Sequence, residues 1–177
     1  MSRDDYIDFQ ERTEPLAYLI TIRTYGTWLH GDERGAMDRR EHNRHGAPNI
    51  APNRRLVKAE HAQLKHPPVT FDEAQRAAVE QAIREVCAHR DYQLLAVNVR
   101  TNHVHCVVAA ACRPELVMNG FKVYATRHLR EEGLLLPDVK PWSRHGSNPY
   151  LWTPEQVERA IDYVINGQDG DPWIPND

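Results

Sequence analysis

The stretch Gln93-Leu94-Leu95-Ala96-Val97-Asn98-Val99-Arg100-Thr101-Asn102-His103-Val104-His105-Cys106-Val107-Val108-Ala109-Ala110 decides the fold. Residues 93–100 are rich in side chains that suit a half-buried strand. Thr101-Asn102 is a two-residue polar break of the length that closes a β-hairpin. Residues 103–110 then form the return strand. Residues i and i+2 of a strand share a face, so His103 and His105 stand side by side while Val104 points the other way, toward a core. Two steps of extended chain cover about 6.5 Å, which lets both imidazoles converge on one metal ion.

The remaining elements fall into place around this hairpin. Residues 16–25 (Leu-Ala-Tyr-Leu-Ile-Thr-Ile-Arg-Thr-Tyr) are dominated by β-formers and predict a first strand. Residues 26–70 show no steady apolar period and carry Gly26, Gly31, Gly35, Gly46, Pro48, Pro52, Pro67 and Pro68, which predicts an irregular insertion. Thr70 and Glu73 form a capping-box pattern, and an apolar stripe of Ala74, Ala78, Val79, Ala82, Ile83 and Val86 predicts a helix to about His89. Pro114 suits the first turn of a second helix, and Gly133 suits its end. Short strands are expected around Val139–Trp142 and Tyr150–Trp152. Thr153-Pro154-Glu155-Gln156 opens a last helix that runs to Asn166-Gly167.

This order predicts an α+β fold: a ferredoxin-like, split βαβ antiparallel sheet with helices on one face. The expected organisation is a polar arm over 1–14, one domain over 15–168 that contains the 26–70 insertion, and a tail over 169–177. A chain of 177 residues is long enough for one domain with a full core. Three scattered cysteines without a CxxC pair argue against a disulfide framework. No apolar run reaches membrane-spanning length and the N-terminus lacks a signal-peptide pattern, so a cytoplasmic, nucleoid-associated protein is expected. The net charge of −3 excludes a uniformly basic surface but conceals local clusters of cations.

A second candidate site lies on the helix after the hairpin. Gly120, Tyr124 and His128 are spaced i, i+4, i+8 and share a stripe, with Arg127 beside them. The neighbouring stripe of Val117, Phe121, Ala125 and Leu129 should face the sheet, which leaves Tyr124 and His128 at the boundary of core and solvent. Gly120 offers room for a close approach. Each feature taken singly also fits a structural role. A tyrosine at a helix boundary packs its ring and wets its hydroxyl, and a His-x-His pair arises by chance in a chain with 10 histidines.

Together, and in this order, these motifs resemble the Y1 transposases of the IS200-like and REP-associated tyrosine transposase group, within the HUH endonuclease superfamily. The resemblance is carried by residues 18–31, Asn98–His105, Lys122–Arg127, Trp142–Gly146 and Tyr163–Gln168. It implies that His103 and His105 are metal ligands, that Tyr124 is the nucleophile, and that His128 stands where members place a third, polar ligand. The implied cofactor is a divalent ion, Mg²⁺ or Mn²⁺. The implied activity is endonuclease and strand transfer on single-stranded or hairpin DNA through a 5′-phosphotyrosyl link, by a monomer or a homodimer. Lys122, Arg127, Arg130, Arg39, Arg40, Arg54, Arg55 and Arg144 are candidate phosphate contacts, and Trp28 and His30 candidate stacking platforms for unpaired bases. Two alternatives stand beside this reading: a catalytically inactive nucleic-acid-binding protein on the same scaffold, and a His-x-His metallohydrolase that makes no covalent intermediate.

Overall fold

The computed structural model describes residues 14–27 and 53–167. Most of the arm over 1–14, residues 28–52 of the insertion and the tail over 169–177 lie outside the described residues. The hairpin is present as expected: β2 (Gln93–Val99) and β3 (His103–Ala109) pair antiparallel. β1 (Ala17–Thr24) pairs antiparallel with the other side of β3. β3 therefore sits between β1 and β2, which is the split of the split βαβ plan. β4 (Trp142–Ser147) and the two-residue β5 (Tyr150–Leu151) share the far edge of β1, so the strand order is β2-β3-β1-β4 with β5 beside the start of β1. β4 begins at Trp142, where the strand expected around Val139–Trp142 was to end, because the segment before it is spent on turns after the preceding helix.

Four helices are described. The first, α1 (Arg54–Ala62), corrects the expectation of an irregular segment through residue 70. Asn53 caps it by accepting from the amides of Arg55 and Leu56 at 3.1 and 3.2 Å. Arg, Leu, Lys, Ala and Glu are strong helix formers. Because α1 buries no residue, it leaves little trace in the apolar pattern. α2 (Glu73–Arg90) starts at Asp72 rather than Thr70, with a capping box in which Gln75 N–H donates to Asp72 Oδ1 at 2.8 Å and Asp72 N–H donates to Gln75 Oε1 at 3.0 Å. α3 (Pro114–Glu131) closes on Gly133 at φ +70°. Gly133 N–H reaches Arg130 O and Leu134 N–H reaches Leu129 O, the paired bonds of a Schellman end. α4 (Pro154–Asn166) has the expected Thr153/Gln156 capping box.

Strand parity divides the molecule. Tyr18, Ile20 and Ile22 of β1 and Val104, Cys106 and Val108 of β3 point to one face, where α2 and α3 cover them with Val79, Ile83, Val86, Val117, Phe121, Ala125 and Leu129. Each fully buried large apolar side chain here contributes about 1.5–3 kcal/mol. Ala17, Leu19 and Val107 point to the other face with Ala96 and Leu151, and α4 packs there through Ala160 and Val164. The helices thus lie on both faces: α2 and α3 together, as expected, and α4 opposite them.

Candidate active site

The parity that buries Val104 places the histidines on the α4 face. Register sets out two rows across that face. In one, Asn98 of β2, His105 of β3, Thr21 of β1 and Ser147 of β4 lie opposite one another. In the other, His103 pairs with Arg23, while the Arg100 amide donates to His103 O at 2.8 Å. The two imidazoles stand edge to face with centroids 4.7 Å apart.

Both rings are oriented through Nδ1. His103 Nδ1 lies 2.6 Å from Asn102 Oδ1 and His105 Nδ1 lies 2.8 Å from Thr21 Oγ1. With Nδ1–H as the donor in each case, Nε2 carries the lone pair, an arrangement suited to metal ligation through Nε2. His105 is also buried at 7 % exposure. Burial, followed by the charges of His103, Arg23 and Arg100, pushes its pKa down to about 3. It is therefore neutral, and competent as a ligand, across the physiological range. Two imidazoles with anchored rings, one of them held neutral by burial, fit a divalent cation. Among the described residues no cluster of three or more His, Cys, Asp or Glu side chains joins them, so oxygen ligands from water or substrate would complete the shell.

The structure does not bring Tyr124 or His128 to this pair. Both are on α3, and Tyr124 packs against the core on the opposite face of the sheet. The Tyr124 ring is approached by Arg127 and Arg90, whose guanidinium carbons are 5.4 and 6.0 Å from its centroid. His128 Nε2 meets Glu132 Oε1 at 3.0 Å. Gly120 has open space where a Cβ would stand, so no close approach explains it. The tyrosine beside the histidines is Tyr163 of α4, whose ring meets His105 at 5.3 Å and 72°.

The expected DNA contacts scatter. Lys122 Nζ donates to Ser143 O at 3.0 Å, Arg127 pairs with Glu131 at 3.3 Å, and Arg130 donates to Val139 O at 3.3 Å; all three belong to α3 and are engaged locally. Arg144 is exposed on β4, and Arg54 and Arg55 are exposed at the start of α1. Arg39, Arg40, Trp28 and His30 lie outside the described residues. The cations that border the histidine pair are Arg23 and Arg100, neither of which was singled out in the sequence. Arg23 could have been found from its alternation with Thr21 and Leu19 on β1, and Tyr163 from its place at the edge of the Val157/Ala160/Ile161/Val164 stripe.

The site is thus an antiparallel split βαβ sheet that carries a His-x-His pair, with a helix laying a tyrosine against it. The chain matches the family described as "Transposase IS200 like" over residues 65–154, half of its length, and belongs to that family. The matched segment holds both histidines and ends before Tyr163. Among solved structures, the chain is similar to a REP-associated tyrosine transposase bound to a REP hairpin, at 12 % identity and a TM-score of 0.45, covering 85 % of this chain and 65 % of that one. It thus spans slightly less than two thirds of that protein. It is also similar to a candidate transposase from Deinococcus radiodurans R1, at 15 % identity and a TM-score of 0.41, covering 91 % of this chain and 96 % of that one. No curated protein sequence matches it. Among the described residues, no helix is long and apolar enough to cross a membrane.

Proposed function

We propose that this chain nicks and rejoins single-stranded DNA, at hairpin or palindromic sequences, through a covalent ester on Tyr163. The observation that carries the proposal is the contact between the Tyr163 ring and His105, on the sheet face that also carries His103. Tyr163 Oη attacks the scissile phosphorus; the P–O3′ bond breaks, the 3′-oxygen leaves and takes a proton, and the DNA 5′-phosphate stays on the tyrosine. A phenol with a pKa of about 10 gives up its own proton as the new P–O bond forms. A second 3′-OH then attacks the phosphotyrosine and restores a phosphodiester without ATP, because the ester conserves the bond.

His103 and His105 would hold a divalent cation, Mg²⁺ or Mn²⁺, through their Nε2 atoms. When bound, that ion supplies Lewis acidity to a phosphate oxygen. Arg23 and Arg100 flank the pair and neutralise the phosphate, the role first looked for on α3. Arg54 and Arg55 on α1 are assigned to the flanking backbone, where each phosphate neutralised adds a salt-sensitive increment of affinity.

The test is a denaturing gel with a labelled oligonucleotide that carries the hairpin nearest the gene and its single-stranded flank, with Mn²⁺. Wild type should give a cleaved product and a slow-migrating protein–DNA adduct. Tyr163→Phe should give neither, and Tyr124→Phe should give both. An adduct lost in Tyr124→Phe and kept in Tyr163→Phe would sink the assignment. Cleavage by Tyr163→Phe without an adduct would establish the non-covalent metallohydrolase instead.

A further inference from the structure

Asn98 occupies an unusual position. β2 contains a bulge: Leu94 pairs with Val108, but Ala96, two residues on, pairs with Val107. The extra residue, Leu95, reverses the parity of everything after it. An unbulged β2 would turn position 98 toward α2. With the bulge, Asn98 lies opposite His105 on the α4 face, the face that also carries Leu19, Ala96 and Val107. Bulges beside active sites commonly serve to re-aim a side chain in this way.

The re-aimed amide has a defined partner. Asn98 Nδ2 donates to Val164 O at 3.0 Å, across 66 positions of sequence. Val164 lies in the last turn of α4. Val164 also follows Tyr163 directly. Helix ends fray by a residue or two unless something holds them, and the next residues of this helix end at Gly167, whose amide reaches Tyr163 O at 3.0 Å. The bond from β2 therefore holds the turn that carries the tyrosine. It does so from the residue directly across from His105.

We propose that Asn98 is a positioning residue for the DNA-cutting reaction: its amide clamps the final turn of α4 to the strand beside the histidines and fixes the Tyr163 hydroxyl relative to them. The proposal rests on Tyr163 being the nucleophile. Misplacing a reacting group by about 1 Å can cost on the order of 100-fold in rate, and a frayed turn spreads the hydroxyl over more than that distance. Asn98 has no contact with DNA in this scheme, so its loss should slow the chemistry and leave binding alone.

The experiment compares Asn98→Val and Asn98→Ala with wild type under single turnover, at saturating hairpin oligonucleotide and Mn²⁺. Adduct formation should slow by about tenfold or more in both variants, while oligonucleotide affinity stays within about twofold. Hydrogen exchange should rise at the last amides of α4 and not in β1 or β3. Val and Ala both remove the donor but differ in volume. A rate loss confined to Ala would point to packing and overturn the proposal, as would unchanged rates in both variants or a fall in affinity that matches the fall in rate. Tyr163→Phe is run in parallel: an adduct there refutes the nucleophile assignment itself, and the Asn98 data alone cannot produce that result.

Discussion

Replacing His105 by Asn should flatten the pH dependence of folding stability. His105 is buried, and its pKa falls from an ordinary value near 6.5 to about 3 in the folded state. The folded protein therefore resists protonating it, while the unfolded chain takes the proton below pH 6.5. The stability due to the neutral ring is fully present above pH 6.5 and is lost progressively as the pH falls toward 3. Linkage sets the slope at up to one proton, or about 1.4 kcal/mol per pH unit, and integrates to about 2 kcal/mol between pH 7 and pH 5. For a chain of this size, that corresponds to a fall of about 4–8 °C in Tm. Asn is the informative replacement, since its amide can meet Thr21 Oγ1 where Nδ1 does and does not titrate. The assay is urea unfolding of metal-free protein at pH 7, 6 and 5, read as the difference between wild type and variant, so that other titrating groups cancel. The wild type should lose about 2 kcal/mol more than the variant across that range. Parallel pH profiles would refute the account of a ring held neutral by burial.

Three further outcomes follow from single contacts. Gly146→Ala places a Cβ 2.5 Å from Thr21 O and 2.6 Å from Met118 Sδ; because one obstacle is backbone, a loss of about 1–3 kcal/mol is expected, measured by urea unfolding. Thr21→Val removes the anchor on His105 Nδ1 and should weaken Mn²⁺ affinity by about 10- to 100-fold in calorimetry, with a loss of about 1–3 kcal/mol of stability from the unpaired buried nitrogen. Thr153→Ala removes the N-cap acceptor for Gln156 N–H and should cost about 1 kcal/mol, seen as a lower Tm.

The hairpin, the helix caps at Thr153 and Gly133, and the parity of Val104 against the two histidines were legible because each depends on local geometry. α1 was not legible, since an exposed helix leaves no apolar period. The choice between Tyr124 and Tyr163 turned on a different limit. Both tyrosines border an apolar helical stripe, and periodicity shows which side of a helix is buried but not which side of the sheet it covers. That depends on connections. α3 lies between β3 and β4 and shares a face with α2; α4 follows the last strand and is placed on the other. One inference from the sequence alone could have separated them. Val104, Cys106, Val108, Ile20 and Ile22 already need two helices to cover them, so the histidine face had to receive the remaining helix. The bulge at Leu95 left no such sign, and the placement of Asn98 depends on it.

Parity also separates what holds the fold from what would perform the proposed chemistry. Even-numbered positions of β1 and β3 meet two 18-residue helices and are sealed. Odd-numbered positions meet one helix of 13 residues. One helix cannot cover the width of a sheet that two helices cover on the other side. Its apolar contacts concentrate toward Ala17, Leu19 and Val107, leaving the end of the sheet near Arg23, Arg100 and His103 only half-buried. The result is a gradient across the histidine pair, from the buried His105 under Tyr163 to the half-buried His103 beside two arginines. A phosphate approaching from solvent would meet the cations first and the tyrosine last. The incomplete cover that weakens this face as a core is what would leave room on it for the DNA strand of the proposed reaction.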